Sequence, residues 1–170
     1  PKHYELQGNY AYKKGHSVLD YYMPIWKGVS NEGLPMWKAY TYKDASGNDA
    51  YVTDYEKYIS TGGDTKALTE TTTSDYNKAV NEFVGKSAIP DFVGGFGFDV
   101  QIKNVSISTN FSYGLGGWGY DGVYAGLMSS GSVIGTRNWH KDIRNYWSTD
   151  KHTDLPILTH NVEAVKFANS

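Results

Sequence analysis

Between Phe96 and Tyr113 the chain alternates apolar and polar residues in two runs of opposite parity, and no other pattern in it restricts the fold so tightly. Phe96, Phe98, Val100 and Ile102 alternate with Gly97, Asp99 and Gln101. After Lys103-Asn104 the apolar positions are Val105, Ile107, Phe111 and Tyr113, and the polar ones are Ser106, Ser108, Asn110 and Ser112. Side chains of a strand alternate with period two, so a parity flip across two residues is what a two-residue hairpin turn requires. The implied register sets Ile102 opposite Val105, Val100 opposite Ile107, Phe98 opposite Thr109 and Phe96 opposite Phe111. Gly94 falls opposite Tyr113, whose ring can cover the glycine backbone. A slip of one residue would place every apolar side chain opposite the wrong face, so this register is strongly specified.

The strands so predicted, from Gly94 and to Tyr113, are nine residues each, within the roughly 9–11 residues that cross a bilayer at a tilt. Their second face carries small, mostly uncharged residues, which suits a crowded, wet barrel lumen. A hairpin in a soluble β-sandwich alternates identically. Periodicity alone therefore leaves open whether the apolar face meets lipid or a protein core.

Composition narrows the remaining classes. The chain has 170 residues, enough for one ordinary domain, and 15 Tyr, 5 Trp and 19 Gly favour strands and turns over helices. With 16 basic and 18 acidic residues and a net charge of −2, it has no nucleic-acid footprint. Cysteine is absent, which excludes disulfide frameworks, thiolate metal sites and cysteine nucleophiles. No apolar run approaches the ~18 residues of a transmembrane helix, but barrel strands keep their average hydropathy low and escape that test. The chain opens on Pro1-Lys2-His3 and closes on Phe167-Ala168-Asn169-Ser170, and both ends read as cuts.

Along the rest of the chain, residues 3–12 read as one alternating strand, with Tyr4, Leu6, Tyr10 and Tyr12 on one parity, followed by a loop at Lys13-Lys14-Gly15-His16. An aromatic-rich segment from Val18 to Trp26 leads to a turn cluster, Gly28 to Gly33, and a partner strand from Leu34 to Tyr42. Pro24 and Pro35 lack an amide donor and are expected at strand ends or bulges. Residues 44–73 are polar and read as a solvated loop. Ser74 is placed to cap a short helix bearing Tyr76, Val80, Phe83 and Val84 and ending at Gly85. Residues 114–160 form a long excursion with two short helical stretches, one over Val123, Tyr124, Leu127 and Met128, the other over Trp139, Ile143 and Trp147 after an Asn138 cap. Long loops at one end and tight turns at the other are the asymmetry of bacterial outer-membrane barrels.

Motifs that would carry enzymatic chemistry fail on their context. Gly114, Gly116 and Gly119 follow a strand in G-x-G-x-x-G spacing, but a dinucleotide site needs a helix opening there, and Tyr120-Asp121-Gly122 reads as loop. Gly85-Lys86-Ser87 resembles the end of a phosphate-binding loop whose first glycine is replaced by Val80. His140 and Asp142 could hold a metal or serve as a base pair, while His3, His16, His152 and His160 have no ligand spacing. Asp44, Ser46, Asn48 and Asp49 around Gly47 mimic a calcium loop without its terminal glutamate. No catalytic residue, metal or cofactor is assigned. Exposed loop aromatics remain: Trp118, Tyr120, Trp139 and Trp147 could stack on sugar faces, or pack the loops together, or form an interfacial belt.

Several segments, in order, carry a family resemblance. Gly85-Lys86-Ser87-Ala88-Ile89-Pro90-Asp91-Phe92-Val93-Gly94-Gly95-Phe96 resembles the lead-in to a late barrel strand in SusC/RagA-type TonB-dependent transporters. Asn110-Phe111-Ser112-Tyr113-Gly114-Leu115-Gly116-Gly117 with Tyr120-Asp121 and Tyr124 is similar to the segment that follows it in that family. Trp139-His140-Lys141-Asp142-Ile143 with Trp147 resembles a loop of the same family, as do Trp26-Lys27-Gly28-Val29 and Gly33-Leu34-Pro35-Met36-Trp37 upstream. The family often has Gln-Leu after the glycine where Leu115 follows Gly114 directly, usually Arg at Tyr146, and Asp-Pro where Ser30-Asn31-Glu32 stands.

The resemblance implies an all-β fold: antiparallel strands forming part of a large transmembrane barrel of roughly 22 strands, with long extracellular loops. Residues 1–170 would be a fragment of that barrel domain, five or six strands of it, without the plug or the closing strands. It implies TonB-energised import of oligosaccharides or peptides through the outer membrane of a Gram-negative bacterium, with a SusD-like surface lipoprotein as lid. The lipid-facing set would be Phe96, Phe98, Val100, Ile102, Val105, Ile107 and Phe111. Extracellular ligand contacts would come from Trp118, Tyr120, Asp121, Trp139 and Trp147. The alternative is a soluble carbohydrate-binding β-sandwich.

Overall fold

A computed structural model describes residues 4–128 and 138–158. His3, His160 and the two chain ends weighed above lie outside the described residues, as does the middle of the excursion after Gly114. What is described is mostly antiparallel β-sheet with few helices.

The first sheet joins β1 (Tyr4–Gln7), β2 (Tyr10–Lys13), β3 (Asp20–Pro24) and, from much later in the chain, β8 (Asn81–Ser87). The single strand expected over residues 3–12 is instead a hairpin. A turn at Gly8-Asn9 folds it back so that Leu6 pairs with Ala11 and Gln7 with Tyr10. The fully buried side chain is then Ala11, which belongs to the parity opposite the tyrosines.

The second sheet is built around β5 (Pro35–Lys43), the nine-residue strand expected after the Gly28–Gly33 turn. On one edge β5 pairs with β4 (Trp26–Val29) and then with β6 (Asp49–Val52), and on the other with β7 (Thr69–Thr73). Pro24 ends β3 and Pro35 begins β5, where a missing amide donor costs no ladder bond.

Residues 44–73 are therefore not the solvated loop their polarity suggested. They supply both β6 and β7, together with α1 (Tyr55–Ser60), whose N-cap Asp54 accepts from the Lys57 amide at 3.0 Å. Thr69, Thr71, Thr72 and Thr73 are β-branched and fit a pleated edge despite their hydroxyls. The helix expected after Ser74 is also corrected. Asp75 caps only one short 3₁₀ turn, Tyr76–Lys78, and Val80, Phe83 and Val84 continue into or along β8. Gly85 (φ 73°) sits where the β3–β8 register shifts and accommodates the bulge.

The core lies where the two sheets meet. Tyr21, Tyr22, Trp37, Ala39, Val52, Ala79 and Val80 are buried there. Trp37 packs edge-on to Trp26 and Tyr76 at centroid distances of 5.0 and 5.4 Å. Lys38 crosses the seam to Glu82 at 2.6 Å. Burial works against its charge, but the bonds to Glu82 and Tyr40 prevail and hold the ammonium above the usual lysine range.

The third sheet has only two strands, β9 (Phe92–Ile102) and β10 (Val105–Leu115). Every predicted pair is found in its register, and the ladder runs on to Phe92 opposite Leu115, giving strands of eleven residues. The Tyr113 ring lies over Gly94 as expected. At the tip Lys103 takes φ 54°, the positive value a primed turn demands of its first central residue. Left-handed backbone costs an L-residue of this kind about 1 kcal/mol. Lys103→Gly is therefore expected to raise the unfolding free energy by about that amount, read from chemical denaturation midpoints; an unchanged midpoint would show the turn is not strained.

Candidate functional site

Two features have the character of functional surfaces: the bare hairpin and an aromatic cleft beside the first sheet. In the hairpin, Phe96, Phe98, Val100, Ile102, Val105, Ile107 and Phe111 share one face, joined by Phe92, Tyr113 and Leu115 at its base. Phe96 and Phe111 stack at 4.9 Å across the strands, yet Phe96 remains 62% exposed, and all seven predicted lipid-facing residues are exposed. The opposite face presents Gly95, Gly97, Asp99, Gln101, Ser106, Ser108, Asn110 and Ser112, with the exposed Val93 and Gly114 at its base. It is crowded: a Cβ at Gly97 would run into the Asn110 side chain, and one at Gly95 would come within 2.9 Å of the Phe111 carbonyl. An isolated two-stranded ribbon is marginal in water, so a face and two edges of this size call for further partners. Among the described strands only β9 and β10 combine eleven residues with an exposed apolar face.

The cleft, of about 390 Å³, lies between the β1–β2 turn, β3, the start of β8 and the second sheet. Tyr22 and Trp37, both buried, form its floor, and Tyr76, Met23, Pro24 and Tyr120 its apolar walls. Asn9 and Asn81 also line it, and none of its described lining residues is charged. Burial, with Tyr120 close by, pushes the Tyr76 hydroxyl above the usual tyrosine range. Tyr120 is delivered by the glycine-rich segment after β10, which is pinned to the sheet. The Trp118 amide donates to the Ser87 carbonyl at 2.9 Å, the Tyr21 hydroxyl donates to the Trp118 carbonyl at 3.2 Å, and the Tyr120 amide donates to the Tyr21 hydroxyl at 3.3 Å. Trp118 itself stays 54% exposed, with the Lys86 ammonium 4.0 Å from its ring centroid.

The five loop residues singled out from sequence thus separate. Trp118 and Tyr120 come together around Tyr21. Asp121 is exposed but accepts from the Tyr124 amide at 2.8 Å, at the start of α2 (Gly122–Met128). Trp139 is exposed and precedes the 3₁₀ helix Lys141–Asn145, which is capped by His140 rather than by Asn138. Trp147 is corrected: it is 7% exposed, stacks on His152 and lies against Gly33, where a Cβ would stand 2.6 Å from its ring. It holds the late loop to the β4–β5 turn and offers no face to a ligand. The reading missed Tyr22, Trp37 and Tyr76, whose role in the cleft arises only when β3, β5 and β8 converge.

The glycine spacing after β10 fails as a dinucleotide motif for a revised reason. A helix does follow Gly119, but β10 is one arm of an antiparallel hairpin, and a dinucleotide site needs a parallel β–α–β unit. Asp44 accepts from the amides of Ser46 and Asn48 at 2.8 and 2.9 Å, an Asx turn closing the β5–β6 connection. His140 Nδ1 and the Tyr124 hydroxyl both meet Asp142 Oδ2 at 3.2 Å, with no fourth group to complete a metal or nucleophile site among the described residues. Comparison of the chain with family models, curated proteins and solved structures gives no match.

Proposed function

We propose that this chain is part of an outer-membrane β-barrel importer of the SusC/RagA type, and that β9 and β10 are neighbouring strands of its wall. The observation that carries the reading is the eleven-residue ribbon, greasy on one face, mostly small and polar on the other, and exposed along its apolar side among the described residues. A barrel wall needs that combination: lipid covers one face, the wet lumen takes the other, and adjoining strands of the same barrel close the edges. The paired sheets and the aromatic cleft then sit on the loop side of the membrane, where the incoming oligosaccharide or peptide is met. A SusD-like lipoprotein closes over them, and TonB acts through the plug elsewhere in the protein. Transport of this kind assigns no catalytic residue and no cofactor.

These 170 residues contain no cysteine, so they contribute no background label to a direct test. Single cysteines placed at Val100 and at Ser108 in the intact protein, in outer-membrane vesicles, are labelled with a fluorophore. The label at Val100 is expected to be quenched by nitroxide lipids and shielded from aqueous iodide, and the label at Ser108 to show the reverse. Iodide quenching of the Val100 label, without lipid quenching, would remove the membrane assignment and leave the soluble sandwich.

A further inference from the structure

We infer that the hollow beside Trp118 and Lys86 binds one anionic phospholipid of the surrounding membrane, an inference that rests on the barrel-wall reading of β9 and β10. The hollow is shallow and open, about 150 Å³ in volume, and adjoins the cleft through Met23 and Tyr120. Val84 and Lys86 come to it from β8, Met23 from β3, and Trp118 and Tyr120 from the segment after β10. These walls are accessible: Trp118, Tyr120 and Lys86 are exposed, and Met23 and Val84 are half-buried. Pockets for drug-sized ligands run to about 300–1,000 Å³, so a space this small suits a stretch of acyl chain. One charge stands in the apolar surface. The Lys86 ammonium lies 4.0 Å from the Trp118 ring centroid. Among the described residues Lys13, Lys27, Lys38, Lys43 and Lys78 are held by carboxylates, and Lys86 is not. An ammonium has three N–H donors, so one turned to the ring leaves others for the oxygens of an anion.

Position makes the membrane the source of that anion. β8 ends at Ser87, shortly before β9 begins, and the Trp118 amide, just past the end of β10, donates to the Ser87 carbonyl at 2.9 Å. The hollow therefore stands at the end of the ribbon away from Lys103. On the barrel reading, that is where hydrocarbon gives way to headgroups. Tryptophan is enriched at this boundary, and a lysine stem lies along apolar surface while its charge reaches the polar layer. An acyl chain that continues into a phosphate matches both halves of the site. Free phosphate would leave the apolar half uncovered, and a zwitterionic headgroup would bring its own cation towards Lys86.

The test is native mass spectrometry of the intact protein released from bilayers of phosphatidylglycerol and phosphatidylcholine in equal amounts. Phosphatidylglycerol is expected to be retained in preference. Lys86→Gln should reduce that preference about fivefold, the effect of one lysine at an anionic surface. Lys86→Arg should keep it, and so should Lys66→Gln, which removes an exposed lysine outside the hollow. Trp118→Ala should lower retention with Lys86 intact, while Trp118→Phe, which keeps an aromatic face, should not. Inorganic phosphate should fail to displace the lipid. Equal retention of the two lipids, a Lys86→Gln variant that behaves like wild type, or displacement by phosphate alone would each overturn the proposal. Iodide quenching at Val100 without lipid quenching would remove it together with the barrel reading. A protein that passes the quenching test and fails this one loses the lipid site alone.

Discussion

Arginine at Val100 or Ile107 is expected to cost about 2–4 kcal/mol of folding free energy in lipid vesicles, the depth-dependent cost of a charge at the bilayer midplane. The two residues are directly paired in the middle of the ribbon. Ser108→Arg, on the face that pairs with Asp99, should be far milder. A protein core over the same face would penalise arginine as well, so the profile along the strand decides the matter. In a bilayer the cost falls to roughly 0–1 kcal/mol near the interfaces, so Ile102→Arg beside the turn should be nearly neutral. Equilibrium urea unfolding of the intact protein from vesicles gives all four values. A flat profile, or a Val100→Arg variant as stable as Ser108→Arg, sinks the lipid-facing assignment.

Trp37→Ala should be the most damaging substitution outside the hairpin. The side chain is 1% exposed, on the strand that carries neighbours along both edges, and it holds Trp26 and Tyr76 at its ring edges. Removing a buried tryptophan costs about 3–5 kcal/mol through lost transfer energy and the cavity left behind. Denaturation of the intact protein should show that loss, with Trp37→Phe recovering a good part of it. A loss below about 1 kcal/mol would mean that the seam between the sheets does not depend on this residue.

What could be read from sequence was what depends on local period and turn chemistry. The hairpin register was legible from the turn out to Gly94 opposite Tyr113, though not the two pairs beyond, because two residues, Lys103 and Asn104, separate runs of opposite parity, and no distant contact is needed to set the register. The helix at Val123–Met128 and the prolines at strand ends follow the same local logic. The errors arose where a distant partner decides. Thr69–Thr73 is polar in isolation and becomes a strand because β5 offers it an edge, and Val80, Phe83 and Val84 fit helical spacing until β3 claims them for a sheet. The Gly8-Asn9 turn was present in the sequence but concealed by tyrosines that kept parity across it. Of the candidate site, Trp118 and Tyr120 were visible as loop aromatics. The cleft they help to close was not, since Tyr22, Trp37 and Tyr76 come from three separate segments. Trp147 failed for a related reason: an aromatic in a glycine-rich excursion looks exposed until the glycine it rests on, Gly33, is brought beneath it.

On the barrel reading proposed above, the cation at the hairpin tip also acts as a depth gauge. Eleven residues at about 3.3 Å each span roughly 36 Å, and a strand inclined near 45° covers about 25 Å of that along the membrane normal, the height of a barrel's apolar band. The ribbon thus has no length to spare, and Lys103 cannot stop short of the far surface without leaving its ammonium in hydrocarbon. On that reading the tip stands in water on one side of the membrane, with Trp118 and Tyr120 at the other end of the ribbon.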